Sequence, residues 1–318
     1  MEYIASLAER PRALIALTLA GSTWGLTLPL AALALQGMAP AWLVSVRFGL
    51  AALVLMALAG RKAIRDALSA PILAWGVFGY GGVVLLQGEA IERTSVSHAA
   101  VLGGIVPALV VLFAIVQGGR RPSPAVPVGL FGAIGGVVLI AGGGGHASLA
   151  GDALVLVAGV CSAAYIVAQP PLLAGRSPVA VTAVQMGAAA IVTLPIALLG
   201  EPAPQLHGQV VLAMLGLIVV GSLLPFTLYA WGQTRVPGEV AGAFLNIEAL
   251  VGGVLGILAF HDPCGAKQAF GMTIMLVGIL LVVLGAPPQP AIHAGSPVAA
   301  EAEERRGRVA APLGSTCV

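Results

Sequence analysis

The chain has 318 residues, of which 58% are hydrophobic and only 9% charged. Soluble domains carry roughly 25% charged residues, so no water-soluble fold hides this much apolar surface and the chain reads as an integral membrane protein. Its net charge of +2 carries no message about partners by itself, and no nucleic-acid partner is expected.

Apolar runs of spanning length recur with short interruptions. Crossing ~30 Å of hydrocarbon takes ~20 helical residues. Ten such helices are expected, over residues 13–35, 42–59, 72–90, 97–117, 126–141, 152–173, 179–199, 208–231, 239–260 and 266–285. The runs are continuous rather than alternating, which excludes membrane strands. The first run reads as a retained helix rather than a signal peptide, because it is long enough to span. After Gly285, prolines 287, 288 and 290 stop the last helix, and the charged remainder shows no apolar periodicity. The expected division is a cytoplasmic segment at 1–12, five-helix repeats at 13–142 and 151–285, and a disordered cytoplasmic tail at 286–318.

Charge placement orients the chain. With the N-terminus in the cytoplasm, Arg10, Arg12, Arg61, Lys62, Arg65, Arg120, Arg121, Arg176 and Arg235 all fall inside. Outside the membrane on the other face lie Arg93 and Lys267. This is the positive-inside pattern, and ten spans return the C-terminus to the cytoplasm. The expected location is the inner (plasma) membrane, multi-pass, with the lipid bilayer as the surrounding partner.

The chain also echoes itself. At an offset of 142, Gly129 falls on Gly271, Gly136 on Gly278 and Leu139 on Leu281. At an offset of 138, Pro40 falls on Pro178, Gly49 on Gly187 and Arg47 on Gln185. Five spans per half is an odd number, so the halves insert in opposite directions. The expected fold is an all-α membrane protein of ten transmembrane helices arranged as two inverted five-helix repeats. Such repeats are typical of secondary transporters with a binding site near the midplane.

Few residues carry chemistry at membrane depth. Glu248 sits nine residues into its helix, ~13 Å deep at 1.5 Å per residue. An ionisable group there reads as a buried anchor or as a proton or cation site. It shares a helical stripe with Gly252 and Gly256, a close-packing signature also seen at Gly21-x-x-x-Gly25 and Gly132-x-x-x-Gly136. Arg47 stays charged and must find a carboxylate, a carbonyl or substrate. Glu248 and Glu89 are its candidate partners. His98 opens the fourth helix, either as a site residue or as an idle interfacial group. Trp24, Tyr80, Tyr165 and Tyr229 stand at mid-membrane depth, as ligand-stacking rings or as packing. Gln185, the counterpart of Arg47, offers a polar contact from the other half. Pro107 inside the fourth helix is expected to bend it.

No catalytic residue, cofactor or metal site is expected. Cys161, Cys264 and Cys317 have neither disulfide nor zinc spacing, and Lys62 and Lys267 complete no phosphate loop. A membrane-embedded scramblase or enzyme, and a non-transporting scaffold, remain the alternatives to a carrier.

Several of these residues stand in a family pattern. Trp24-Gly25, Arg47-Phe48 followed by GLAALVL, Thr94-Ser95 with Pro107 beyond, and Val236-Pro237 with Glu248 together resemble the EamA type of the drug/metabolite transporter superfamily. The likeness covers nearly everything before the tail. Ala249 departs from the family's usual proline, as do Gly119-Arg120 and His261-Asp262 from its loop residues. The resemblance implies a ten-helix inner-membrane carrier exporting amino acids or related small metabolites, with a small-molecule substrate as its partner; ten spans in two halves can enclose a cavity without a second copy, so a monomer suffices.

Overall fold

The computed structural model describes residues 2–91, 93–94, 102–116, 123–141, 148–248, 250–251, 254–255 and 265–286. Among them every regular element is helical and there is no strand. His98, Ala249, Gly252, Gly256, the loop residues 119–120 and 261–262, and all but the first residue of the tail lie outside the described residues.

The helices are α1 (Glu2–Trp24), α2 (Thr27–Ala34), α3 (Pro40–Ala59), α4 (Arg61–Ala67), α5 (Ala70–Trp75), α6 (Val83–Ile91), α7 (Val106–Val116), α8 (Ala125–Ala141), α9 (Leu149–Leu173), α10 (Pro178–Gly200), α11 (Gly208–Ile218), α12 (Leu224–Gln233), α13 (Gly238–Phe244) and α14 (Ala266–Gly285). Among the described residues six runs are long and apolar enough to cross a bilayer: Glu9–Ala31, Pro40–Ala59, Ala70–Ala90, Leu149–Leu173, Pro178–Gly200 and Gly208–Gln233. Two further apolar helices, Ala125–Leu139 and Ala269–Gly285, are shorter. The chain is a multi-pass membrane protein. Large apolar side chains such as Leu53, Leu58, Phe131, Ile191, Leu212 and Phe270 point outward, as lipid rather than water requires.

Helix starts follow local chemistry. Pro40 and Pro178 occupy first-turn positions, where a missing N–H costs nothing. Ser148 and Ser177 cap α9 and α10 by accepting from Gly151 N and Ala180 N. Gly60, at φ 80°, turns the chain between α3 and α4 in a conformation that disfavours side chains.

Several expected spans are not uniform helices. The first breaks at Gly25-Leu26, where Thr27 Oγ1 donates to Trp24 O at 2.6 Å. The third and eighth each contain a π-helical turn, Gly76–Gly82 and Val219–Leu223. Each such turn inserts extra backbone into a helix and rotates the residues beyond it. Pro107 follows a break in its expected span. Residues 102–103 are helical, Gly104-Ile105 form a turn and α7 starts at Val106, so the N–H that Pro107 lacks falls at the interruption.

The two halves meet through contacts that recur with the halves exchanged. A Cβ added to Gly129 would lie 2.5 Å from Gly278 O, and one on Gly136 would lie 2.5 Å from Gly271 O. Gly271 and Gly278 are the counterparts of Gly129 and Gly136. Gly49 faces Ala190 at 3.6 Å, while its counterpart Gly187 faces Ala52 at 3.8 Å. Gly79 backs onto Tyr165, and its counterpart Gly221 backs onto Thr27, the counterpart of Tyr165. Residue i touching j′ while j touches i′ is the mark of a two-fold axis between equivalent segments.

Both ends of the bundle are also tied. At one end Glu201 accepts from Ala41 N at 2.9 Å and Trp42 N at 3.0 Å, capping α3 from just past the end of α10. Gln205 N donates to Gly37 O beside it at 2.6 Å. At the other end Arg235 pairs with Glu9 at 3.0 Å and lies over the Trp231 ring at 3.8 Å, and Arg10 donates to Val283 O at 2.6 Å. A negative charge on a helix N-terminus is favourable twice, through hydrogen bonds and through the dipole. Glu201→Ala is therefore expected to cost about 1–2 kcal/mol, read as a lower thermal midpoint in detergent, with Glu201→Gln recovering part of it.

Candidate functional site

Four buried polar residues, Arg47, Ser222, Gln169 and Gln185, stand on α3, the second π-helical turn, α9 and α10. Arg47 is buried on α3. Its Nε donates to Ser222 Oγ at 2.6 Å and its Nη2 donates to Gly221 O at 2.5 Å. Both acceptors belong to the second π-helical turn. The carbonyl of Gly221 is available because residue 225 is proline, so the N–H that would bond it in an α-helix does not exist. Ser222 Oγ lies 3.1 Å from Leu217 O, five residues back.

Glu248 is half-buried and sits within electrostatic reach of Arg47. Among the described residues it forms no ion pair or hydrogen bond through its carboxylate. Its backbone is approached closely by the first span, where a Cβ on Gly25, just past α1, would lie 3.0 Å from Glu248 O, and one on Gly21 of α1 would lie 2.7 Å from Phe244 O. The Gly21-x-x-x-Gly25 pattern is thus the feature that lets the Glu248 segment approach. Glu89, the other candidate partner of Arg47, instead pairs with Arg93 one helical turn away. Sequence spacing cannot tell a near carboxylate from one facing elsewhere, and the local i,i+4 pair wins.

A line of rings connects Arg47 to the other half. The Arg47 guanidinium lies 5.2 Å from the Phe48 ring centroid. Phe48 meets Tyr80 at 5.6 Å, and Tyr80 meets Tyr165 at 5.4 Å. The Tyr165 hydroxyl donates to Gln185 Oε1 at 3.3 Å, and Gln185 exchanges two amide hydrogen bonds of 2.9 Å with Gln169. Trp24 joins through Phe226 at 5.1 Å and Tyr229 at 5.2 Å, and Phe226 meets Tyr80 at 4.6 Å. The Tyr229 hydroxyl and the Asn246 Nδ2 are buried with no partner among the described residues. Such groups cost about 1–3 kcal/mol each when left unpaired.

Comparison with known proteins gives the same outline. The model of the EamA-like transporter family matches residues 11–142 and 149–284. The chain belongs to this family. Among EamA relatives, the threonine/homoserine exporter RhtA of Escherichia coli K12 is 28% identical over 205 residues, covering 64% of this chain and 67% of its own. A protein of Streptantibioticus cattleyicolor named "Probable terminal-alkyne amino-acid exporter" is 30% identical over 276 residues, covering 77% of this chain and 91% of its own. A solved crystal structure superposes with a TM-score of 0.76 at 22% identity, covering 87% of this chain and 98% of that one, and so shares the fold.

Of the residues singled out from the sequence of this EamA protein, Arg47, Trp24, Tyr80 and Gln185 fall into one connected cluster, with Glu248 beside it. Ser222, Gly221, Gln169 and Phe226 were missed. The signal for the first two was Pro225, four residues after Gly221 in a stretch of spanning length. The chemistry on offer is one guanidinium, one carboxylate, a shelf of rings and a pair of amides.

Proposed function

We propose that this EamA protein is a secondary transporter that exports amino acids or related small zwitterions across the inner membrane by alternating access. The observation that carries this is the Arg47 guanidinium, held by Gly221 and Ser222 of the other half, with Glu248 in electrostatic reach. The amino-acid exporters among its relatives support the substrate class. A zwitterion needs one cation and one anion at fixed separation. Arg47 takes the carboxylate, Glu248 takes the ammonium, and the rings of Trp24, Tyr80 and Phe226 face the side chain.

The architecture that serves this is ten spans in two inverted repeats, 13–142 and 151–285, both termini being cytoplasmic and one chain enclosing the pathway. The exchanged contacts between the halves support it. Rocking one half against the other opens the same site to either side. The ties through Glu201 at one end and Arg235–Glu9 at the other break in alternation.

Proton coupling arises from competition. A proton and a substrate ammonium occupy Glu248 in turn, so inward proton movement drives outward substrate movement. The test is flux in proteoliposomes without ATP, with labelled amino acids, purines and cationic drugs as probes. Flux of amino acids is expected, and no flux with any of them overturns the proposal. Glu248→Gln is expected to leave the protein folded and to lower pH-gradient-driven uptake at least ~10-fold, the equivalent of losing one charged contact. Unchanged uptake removes Glu248 from the coupling role.

A further inference from the structure

A guanidinium presents two planar edges to acceptors, a side-on edge through Nε and one Nη, and an end-on edge through both Nη atoms. In this protein the side-on edge is filled by two neutral acceptors of the second π-helical turn, Ser222 Oγ at 2.6 Å from Nε and Gly221 O at 2.5 Å from Nη2. The turn is built for this contact. Pro225 withholds the N–H that would otherwise bond Gly221 O. A Cβ at position 221 would lie 3.0 Å from Arg47 Nη2 and 2.9 Å from Thr27 Cγ2, so glycine alone admits the guanidinium without a shift. The Ser222 hydroxyl donates to Leu217 O, which leaves its lone pairs for Arg47. Among the described residues Nη1 makes no hydrogen bond, so the end-on edge has no protein acceptor there.

The first half has no equivalent. The counterpart of Ser222 at an offset of 142 is Tyr80, and the counterpart of Arg47 is Gln185, whose amide is engaged by Gln169. The Arg47–Ser222 contact is therefore not repeated at the equivalent positions 185 and 80.

We infer that Ser222 and the Gly221 carbonyl are positioning groups that lock the side-on edge of Arg47, so that its end-on edge receives a single planar carboxylate from the substrate. This rests on the carrier reading and adds to it the residue that sets the preference for an acid over its carboxamide. A carboxylate offers two equivalent acceptors to the two parallel N–H groups. A carboxamide offers one acceptor and turns its own N–H donors toward a cation, which the fixed guanidinium cannot avoid by rotating. One carboxylate is carried per cycle.

The experiment is counterflow in proteoliposomes of the full chain. The probes are the amino acid of highest flux in wild-type protein and its carboxamide, each also used as an unlabelled competitor. Wild type is expected to favour the acid strongly. Ser222→Ala is expected to reduce that acid-to-amide preference ~10-fold, through half-saturation, with the maximal rate nearly unchanged. Ser222→Thr, which keeps the hydroxyl, is expected to restore it. A merely structural role would weaken acid and amide equally, and an equal loss overturns the inference. So does an unaltered preference in Ser222→Ala while wild type transports amino acids, which leaves the carrier reading standing. No amino-acid flux in wild type overturns both. If Ser222→Ala is not recovered folded, Ser222→Cys, which keeps the volume and weakens the acceptor, is read by the same criteria.

Discussion

Arg47→Ala is expected to abolish amino-acid counterflow and to lower the thermal midpoint of the protein. The guanidinium is buried, and it is the donor to Gly221 O, a carbonyl already deprived of its helical partner by Pro225. Removing it leaves that acceptor unpaired at about 1–3 kcal/mol. It also leaves the half-buried Glu248 without the positive charge within its electrostatic reach, a further cost of the same sign. The two effects share one region, so they do not simply add. Arg47→Lys keeps the charge but has no side-on edge to give to Ser222 and Gly221. It is expected to recover folding better than transport. The double variant Arg47→Ala with Glu248→Gln removes both charges, and is expected to regain midpoint without regaining flux. Midpoints in detergent and counterflow in liposomes separate these outcomes. Normal values of both for Arg47→Ala would show that the charge is dispensable.

Gly278→Ala is expected to be strongly destabilising, while Gly135→Ala on the facing helix stabilises. A Cβ at 278 would lie 2.5 Å from Gly129 O and 2.6 Å from Ala133 N, both backbone atoms that no rotamer can move. A Cβ at 135 meets nothing within 4 Å. Alanine is the better helix former by about 1 kcal/mol, and at position 135 only that gain remains. At position 278 the helices must separate. Lipid supplies no hydrophobic drive to hold them, so association rests on close packing along the seam. Overpacking costs about 1–3 kcal/mol or more, and here it falls on the contact that joins α8 to α14. Folded yield and thermal midpoint for the two alanine variants, made side by side, check the opposite signs. Equal effects would show that the seam is not as tight as the backbone distances require.

Much of the architecture was legible because composition reports the solvent. A chain so apolar, cut into runs of spanning length, leaves helices in lipid as the only way to pair its backbone. The offsets of 142 and 138 announced related halves, and the pairings Gly129–Gly278 and Gly136–Gly271 are those offsets seen in space. The charge on Arg47 and Glu248 marked them, since a charge at depth must be answered by something. The answering groups were not legible. Helices that are apolar all round have no polar face to show which side is buried. Nothing in the spacing therefore chose Ser222 over Glu89 for Arg47.

By itself, then, the sequence determined the medium, the helical class, the kinship of the halves and the few groups able to carry charge. These depend on transfer free energies and on residue identity, which are local properties. Tertiary structure alone decided that Gly221 O turns to Arg47, that Glu201 caps α3 from the end of α10, and that the fourth span is interrupted at Gly104-Ile105 just before Pro107. Those choices depend on how each helix is rotated against its neighbours, and one inserted residue in a π-helical turn resets that rotation for everything after it.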